Sequence, residues 1–256
     1  IVILSSDNGL PAGNVANYER TSRIVSVLKD HPGVFAWAIQ DEPFLQLNNE
    51  PERVKEDLFE SYKLIRDIDP DHPTYMTADI YSSNFYVDVG NYCDIISPDD
   101  YALGSGRAIT SVYDNIINVG NAVRNRKPVY TILQTFTYGV LGGTDLLPTI
   151  DQVRNMFYQS LWAGSDAIGY YSFYEFTSPP WKLSDTALYP GLVEFSETEL
   201  DAAYSGFDSS RSELLSNDVS GTVWYRTWMK DGIVYILALN RSGSTQTINI
   251  PVNGSG

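Results

Sequence analysis

Short apolar runs alternate with stretches of helical periodicity over about the first 200 residues. Residues 1–4 (IVIL), 34–40 (VFAWAIQ), 74–77, 93–97, 129–133 (VYTIL) and 167–173 (AIGYYSF) read as strands. Between them, residues 20–30, 52–68, 109–124 and 149–163 read as helices. In the second of these, Val54, Leu58, Tyr62 and Ile65 recur at spacings of four, four and three, which puts them on one face. In the third, Ile109, Val112, Tyr113, Ile116 and Ile117 do the same. Thr149 and Gln152 are spaced as a capping box that opens the fourth. The segment 69–73 (DPDHP) is a turn.

Strand and helix in alternation, with near-continuous apolar strands, predict an α/β fold whose parallel strands are buried on both faces. A doubly wound sheet and a (β/α)₈ TIM barrel both fit. No Gly-rich dinucleotide fingerprint follows any strand, which weakens the nucleotide-binding alternative. A barrel places its chemistry at the carboxyl ends of its strands. Those ends here are residues 40–43 (QDEP), Asp79, residues 98–101 (PDDY), Gln134-Thr135 and Tyr174-Glu175. After about residue 207 the pattern changes to strict alternation at 223–228 and 233–239, followed by 246–251 (QTINIP). Asp231-Gly232 is a two-residue hairpin signal. The expected organisation is a barrel part over 1–205 and a small antiparallel β module over 206–256.

Composition narrows the function classes. Apolar residues make up 43% and charged residues 19%, outside the range of disordered chains. The net charge of −15 disfavours nucleic acid and anionic membrane as partners. Arg124, Arg126 and Lys127 form the densest basic cluster and read as a solvated helix end. A single cysteine, Cys93, excludes an internal disulfide and a thiolate metal cage. The only histidines, His31 and His72, each precede a proline, so a His-rich zinc site and a Ser-His-Asp triad are disfavoured. The longest charge-free run, 128–144, carries Gln134, several Thr and three Gly and does not read as a membrane span. The opening residues lack a basic n-region and a cleavage site, so no secretory signal is read there.

The sharpest local feature is residues 31–43 (HPGVFAWAIQDEP), an apolar strand that ends on two carboxylates. Burial of one against aromatic neighbours would raise its pKa, as general acid work requires. The alternative is that Asp41 and Glu42 open a solvated loop. This run resembles the fourth-strand motif of clan A, the retaining glycoside hydrolases with (β/α)₈ barrels. In that superfamily the strand ends in Asn-Glu-Pro or, in many bacterial members, Asp-Glu-Pro, and the Glu is the acid/base. Residues 94–101 (DIISPDDY) are similar to its sixth-strand pattern, 127–134 (KPVYTILQ) to its seventh, and 148–172 to a helix and eighth strand of uncharacterised members. The resemblance spans about residues 1 to 205.

Two departures from the family pattern stand out. Clan A enzymes carry the nucleophilic Glu at the end of strand seven, where this chain has Gln134. An amide cannot form the glycosyl ester that a carboxylate forms. Six strands are read rather than eight, so the barrel lacks its first strands and the sequence reads as a piece of a longer chain, its β module truncated.

The resemblance implies hydrolysis of glycosidic bonds in an oligo- or polysaccharide, with no cofactor or metal and an extracellular or periplasmic location. Glu42 would be the acid, and Asp99 or Glu175 the second carboxylate. Asp41 and Gln134 would hydrogen-bond the sugar. Sugar rings stack on aromatics, so Tyr101, Tyr171, Tyr174 and Trp181 are the candidates to line a cleft. The rival is a non-catalytic carbohydrate-binding relative that has lost its nucleophile at Gln134. A phosphate cradle at Gly142-Gly143 and a calcium site among Asp94, Asp99, Asp100 and Asp114 are read less readily than a βα loop and an acidic surface.

Overall fold

The computed structural model describes residues 2–5, 15–43, 51–78, 86–87, 90–124, 126–137, 146–175 and 180–251. Asp79 and Gly142-Gly143, named above, lie outside the described residues. The chain divides into two compact units. One comprises Ile1–Tyr101, Ser111–Gln134 and Ala163–Tyr170; the other comprises Ala102–Thr110, Thr135–Trp162 and Tyr171–Gly256.

The first unit is built on a six-stranded sheet: β1 (Val2–Ser5), β2 (Val34–Asp41), β3 (Thr74–Ala78), β4 (Ile95–Asp100), β5 (Tyr130–Gln134) and β6 (Ala167–Tyr171). Its order is the chain order, β1-β2-β3-β4-β5-β6, and every pair whose register is described is parallel. The order never reverses, so the sheet lacks the switch point of a doubly wound fold. Helices α1 (Val15–Leu28), α2 (Pro51–Ile68) and α3 (Ser111–Ala122) accompany it. Helix α2 lies on β2 and β3 and against α1, while α3 lies on β4.

The helix-facing side of the sheet is the main core. Trp37, Met76, Ile96 and Leu133 are fully buried there, as are Val54, Leu58 and Ile65 of α2 and Val112 and Ile116 of α3. The apolar spacing of both helices therefore marked their buried faces. The other side carries Ala36, Ala38, Tyr75, Ile95, Tyr130 and Ile132. Near its end β2 bulges, because Ala38 pairs with Tyr75 but Gln40 pairs with Met76. The extra residue, Ile39, re-aims everything after it, and Asp41 comes to stand beside Thr77. A hydrogen-bonded row carried from Asp41 through Thr77 and Ser97 meets β5 at Tyr130, four residues before Gln134. The strand ends are thus staggered around the sheet.

The second unit holds helices α4 (Ile150–Trp162), α5 (Leu188–Thr198) and α6 (Leu200–Phe207). It also holds a two-stranded ribbon of β7 (Tyr174–Glu175) and β8 (Trp181–Lys182), and a three-stranded antiparallel sheet in which β10 (Val223–Lys230) lies between β9 (Glu213–Asp218) and β11 (Ile233–Asn240). The capping box forms as expected: the Thr149 N–H donates to Gln152 Oε1 at 2.8 Å and the Gln152 N–H to Thr149 Oγ1 at 3.2 Å. Hairpin β10 (Val223–Lys230) to β11 (Ile233–Asn240) turns at Asp231 and Gly232, both with positive φ. That is the mirror-image turn that the Asp-Gly pair favours.

The third strand of the sheet is not the one expected. It is β9 (Glu213–Asp218), and residues 246–251 form no strand. Side chains compete with the ladder there: the Ser242 N–H and hydroxyl both donate to Asn240 Oδ1, and the Gln246 amide donates to the Ser242 and Ser244 hydroxyls.

The antiparallel sheet packs on α4 and α6 through aromatics. Trp162 meets Trp224 at 5.8 Å and Phe207 at 5.4 Å, and the Arg226 guanidinium covers Phe207 at 4.5 Å. Gly206 lies flat on the indole of Trp228, where a Cβ would come within 2.6–2.8 Å of three ring atoms. Gly206→Ala is expected to destabilise the protein by about 1–3 kcal/mol through overpacking, seen as a lower thermal unfolding midpoint. An unchanged midpoint would mean that the helix and the indole separate freely.

Candidate functional site

Polar side chains gather on the inner side of the parallel sheet, towards the carboxyl ends of its strands. Register and two-residue alternation place Asp41 of β2, Tyr75 and Thr77 of β3, Ser97 and Asp99 of β4, and Gln134 of β5 on that one side. Tyr75 donates its hydroxyl to Ser97 Oγ at 2.6 Å. Burial pushes the Tyr75 phenol up. Hydrogen bonds with Ser97 and Thr77 oppose this, and the charges of Asp99 and Asp41 add to it. Both carboxylates therefore lie within electrostatic reach of one hydroxyl. Asp41 is exposed at its outer edge, yet burial of the carboxyl raises its pKa, against the pull of its hydrogen bond with Thr77.

The adjacent aspartates of β4 have opposite fates. Asp99 is buried on the inner side, whereas Asp100 faces the helices and accepts a 2.7 Å bond from Ser111 Oγ at the start of α3. Neither belongs to an acidic surface, contrary to expectation. Asp94 also has a structural task, because Thr74 donates to it from N–H and hydroxyl at 2.9 and 3.0 Å. Asp114 lies in the first turn of α3. Among the described residues, no group of three or more His, Cys, Asp or Glu could hold a metal ion.

Glu42 follows the strand directly. Its backbone N–H donates to Thr77 O at 3.1 Å, and its φ of 40° is left-handed. An L-residue pays roughly 1–2 kcal/mol for that conformation. Gln134 ends β5 with no exposure at all. Tyr101 follows β4 and is half-buried.

The remaining candidates belong to the second unit. Tyr171 is exposed and its ring meets the edge of Phe136 at 5.3 Å. Tyr174 and Glu175 form β7, and Glu175 pairs with Trp181 of β8. Oε1 of Glu175 is buried without a hydrogen-bond partner among the described residues. Tyr174 is exposed and Trp181 half-buried.

Sequence reading overlooked Tyr75, Thr77 and Ser97. Their signal was available: alternating polar residues on strands otherwise apolar on both sides.

No family model matches the sequence, and no curated protein does. Solved structures do resemble the fold. A β-galactosidase from the psychrophilic Marinomonas ef1 aligns over 77% of this chain and 44% of its own, at 12% identity and a TM-score of 0.56. A candidate α-L-fucosidase from Bacteroides thetaiotaomicron VPI-5482 aligns over 71% and 62%, at 11% identity and 0.51. A β-galactosidase from the Antarctic haloarchaeon Halorubrum lacusprofundi aligns over 65% and 38%, at 16% and 0.49. The chain thus spans less than two thirds of each of these proteins. At such identities the likeness is one of fold. Among the described residues no helix is long and apolar enough to cross a membrane.

Proposed function

We propose that this chain carries the carboxylate face of a glycoside hydrolase barrel and that its substrate is an oligo- or polysaccharide. The observation that carries this reading is the placement of Asp41, Asp99 and Gln134 on one side of a parallel sheet at its carboxyl end, with Glu42 the next residue after Asp41. Glu42 protonates the leaving oxygen, and Asp99 is the second carboxylate. Asp41, kept protonated to higher pH than an ordinary aspartate, hydrogen-bonds a sugar hydroxyl. Gln134 has no exposure, so its amide reaches substrate only where a neighbouring side chain moves aside, and Tyr101 offers a stacking surface.

The clan A likeness supports a (β/α)₈ architecture, and so does the stagger of the strand ends. That stagger advances by about one residue per strand, as a shear of eight over eight strands requires. In this reading residues 1–205 belong to the barrel and 206–256 to an appended β module.

Gln134 favours a second reading, a carbohydrate-binding relative without hydrolysis, because the amide occupies the nucleophile's place in the resembling family. Gln134→Glu separates the two. In an enzyme that uses Asp99, a further carboxylate on the same side raises the pKa of its neighbours, so the rate falls or the pH optimum moves upward. In a binder, the variant gains slow cleavage of an aryl β-glycoside, with a covalent glycosyl-protein visible by mass. If neither variant nor wild type cleaves or binds a glycan, both readings fail.

A further inference from the structure

The amino-terminal end of the parallel sheet holds a feature that the carboxylate face does not use. A cavity of about 220 Å³ lies between the 3₁₀ turn Gly90–Tyr92 and the end of α3, and its lining includes Asn91, Arg124, Arg126 and Lys127. No acidic side chain lines it among the described residues, although the chain as a whole carries a net charge of −15. Arg126 and Lys127 also line a neighbouring cavity of about 460 Å³ with Pro128 and Asp166, whose Oδ2 accepts a bond from the Val129 N–H at 2.9 Å.

Arg124 and Arg126 are exposed, as a solvated helix end requires, while Lys127 is half-buried. A helix C-terminus offers roughly half a negative charge, against three positive ones. Lys127 is anchored, because its amine donates to Cys93 O. The guanidinium groups of Arg124 and Arg126 have no hydrogen-bond or ion-pair partner among the described residues. Arg124 also has a φ of 55°, at a helix-ending position where glycine or asparagine is the inexpensive choice. The Arg124 side chain thus stands at the wall of the cavity on a backbone conformation that glycine adopts more cheaply.

We propose that this cavity binds a phosphate-class anion, held by Arg124 and Arg126 with Lys127 and the Asn91 amide beside them. Guanidinium forks match tetrahedral oxyanions through paired, charge-assisted hydrogen bonds. A carboxylate brings a single charge and leaves two of the three cations unbalanced, so a divalent oxyanion is the better complement. Water occupies about 30 Å³ per molecule, so the cavity has room for a small organic group on the phosphate as well as for the bare ion.

Calorimetric titration of the full 256-residue chain at low ionic strength tests this, with inorganic phosphate, glycerol phosphate and acetate as titrants. Phosphate is expected to bind at least about tenfold more tightly than acetate. The double substitution Arg124→Ala and Arg126→Ala should weaken it by a further factor of at least about ten, while Arg23→Ala on α1 should not change it. Tighter binding of glycerol phosphate than of phosphate assigns the site to an ester; equal binding assigns it to the free ion. The rise of the thermal midpoint with phosphate gives a second readout and should vanish in the double variant. Absent binding, undiminished binding in the double variant, or equal weakening by Arg23→Ala would overturn the proposal.

Discussion

Glu42→Gln is expected to reduce glycoside hydrolysis by roughly 10²–10⁴-fold while the protein stays folded. The substitution keeps the shape of the side chain and removes its transferable proton. Glu42 is half-buried, and its backbone N–H is held by Thr77 O, so circular dichroism of the variant checks that the strand end keeps its fold. The loss should depend on the leaving group. An alkyl or sugar oxygen needs the proton as the bond breaks, whereas an acidic phenol departs nearly as well without it. Rates on a set of aryl glycosides of graded phenol acidity, compared with a disaccharide, read this out. A loss equal for every leaving group would assign Glu42 to binding and not to proton transfer.

Asp69→Ala is expected to have the largest effect on stability, about 3 kcal/mol. Asp69 is buried at the turn before β3, where one carboxylate serves four donors. The indole N–H of Trp37 reaches Oδ2 at 2.8 Å, and so does Nδ1 of His72; the N–H groups of Asp71 and His72 reach Oδ1 at 3.1 and 3.2 Å. Trp37 is fully buried, so its N–H has no route to water once the acceptor is gone. Burial alone would raise the Asp69 pKa, but the bonds from Trp37 and His72 outweigh it and hold the carboxyl below an ordinary aspartate. A depressed folded-state pKa gives stability that is present above the unfolded value and lost as pH falls through the folded one. Wild type should therefore shed this contribution below about pH 4, whereas Asp69→Ala should show no such loss there. Denaturant unfolding at neutral and acid pH measures both effects, and a wild-type curve no steeper than the variant's would contradict the assignment.

The parallel sheet was legible because its strands are short and apolar and its helices carry unbroken periodicity. Where the reading missed, local chemistry had overridden pattern. Helices α5 and α6 went unread; α5 carries Pro190 and Gly191 near its start, where proline is tolerated in a first helical turn. Residues 246–251 alternate like a strand, yet a cluster of Asn, Ser and Gln side chains binds the preceding loop into itself. The candidate site was half legible. Asp41, Glu42, Asp99 and Gln134 announced themselves as polar residues at strand ends. The bulge at Ile39, which decides that Asp41 and not Gln40 stands beside Thr77, has no sequence signal at all. The Tyr75–Ser97 bond joins residues twenty-two apart in the chain and only the register reveals it.

The most direct test of the account compares wild type with Asp99→Asn for cleavage of an aryl β-glycoside, with circular dichroism to confirm the fold. Asp99 is buried on the inner side, where an amide of the same size fits but cannot act as nucleophile or base. Wild type is expected to cleave measurably, and the folded variant to lose at least about 10²-fold. Equal rates in the two proteins would contradict it and remove Asp99 from the chemistry.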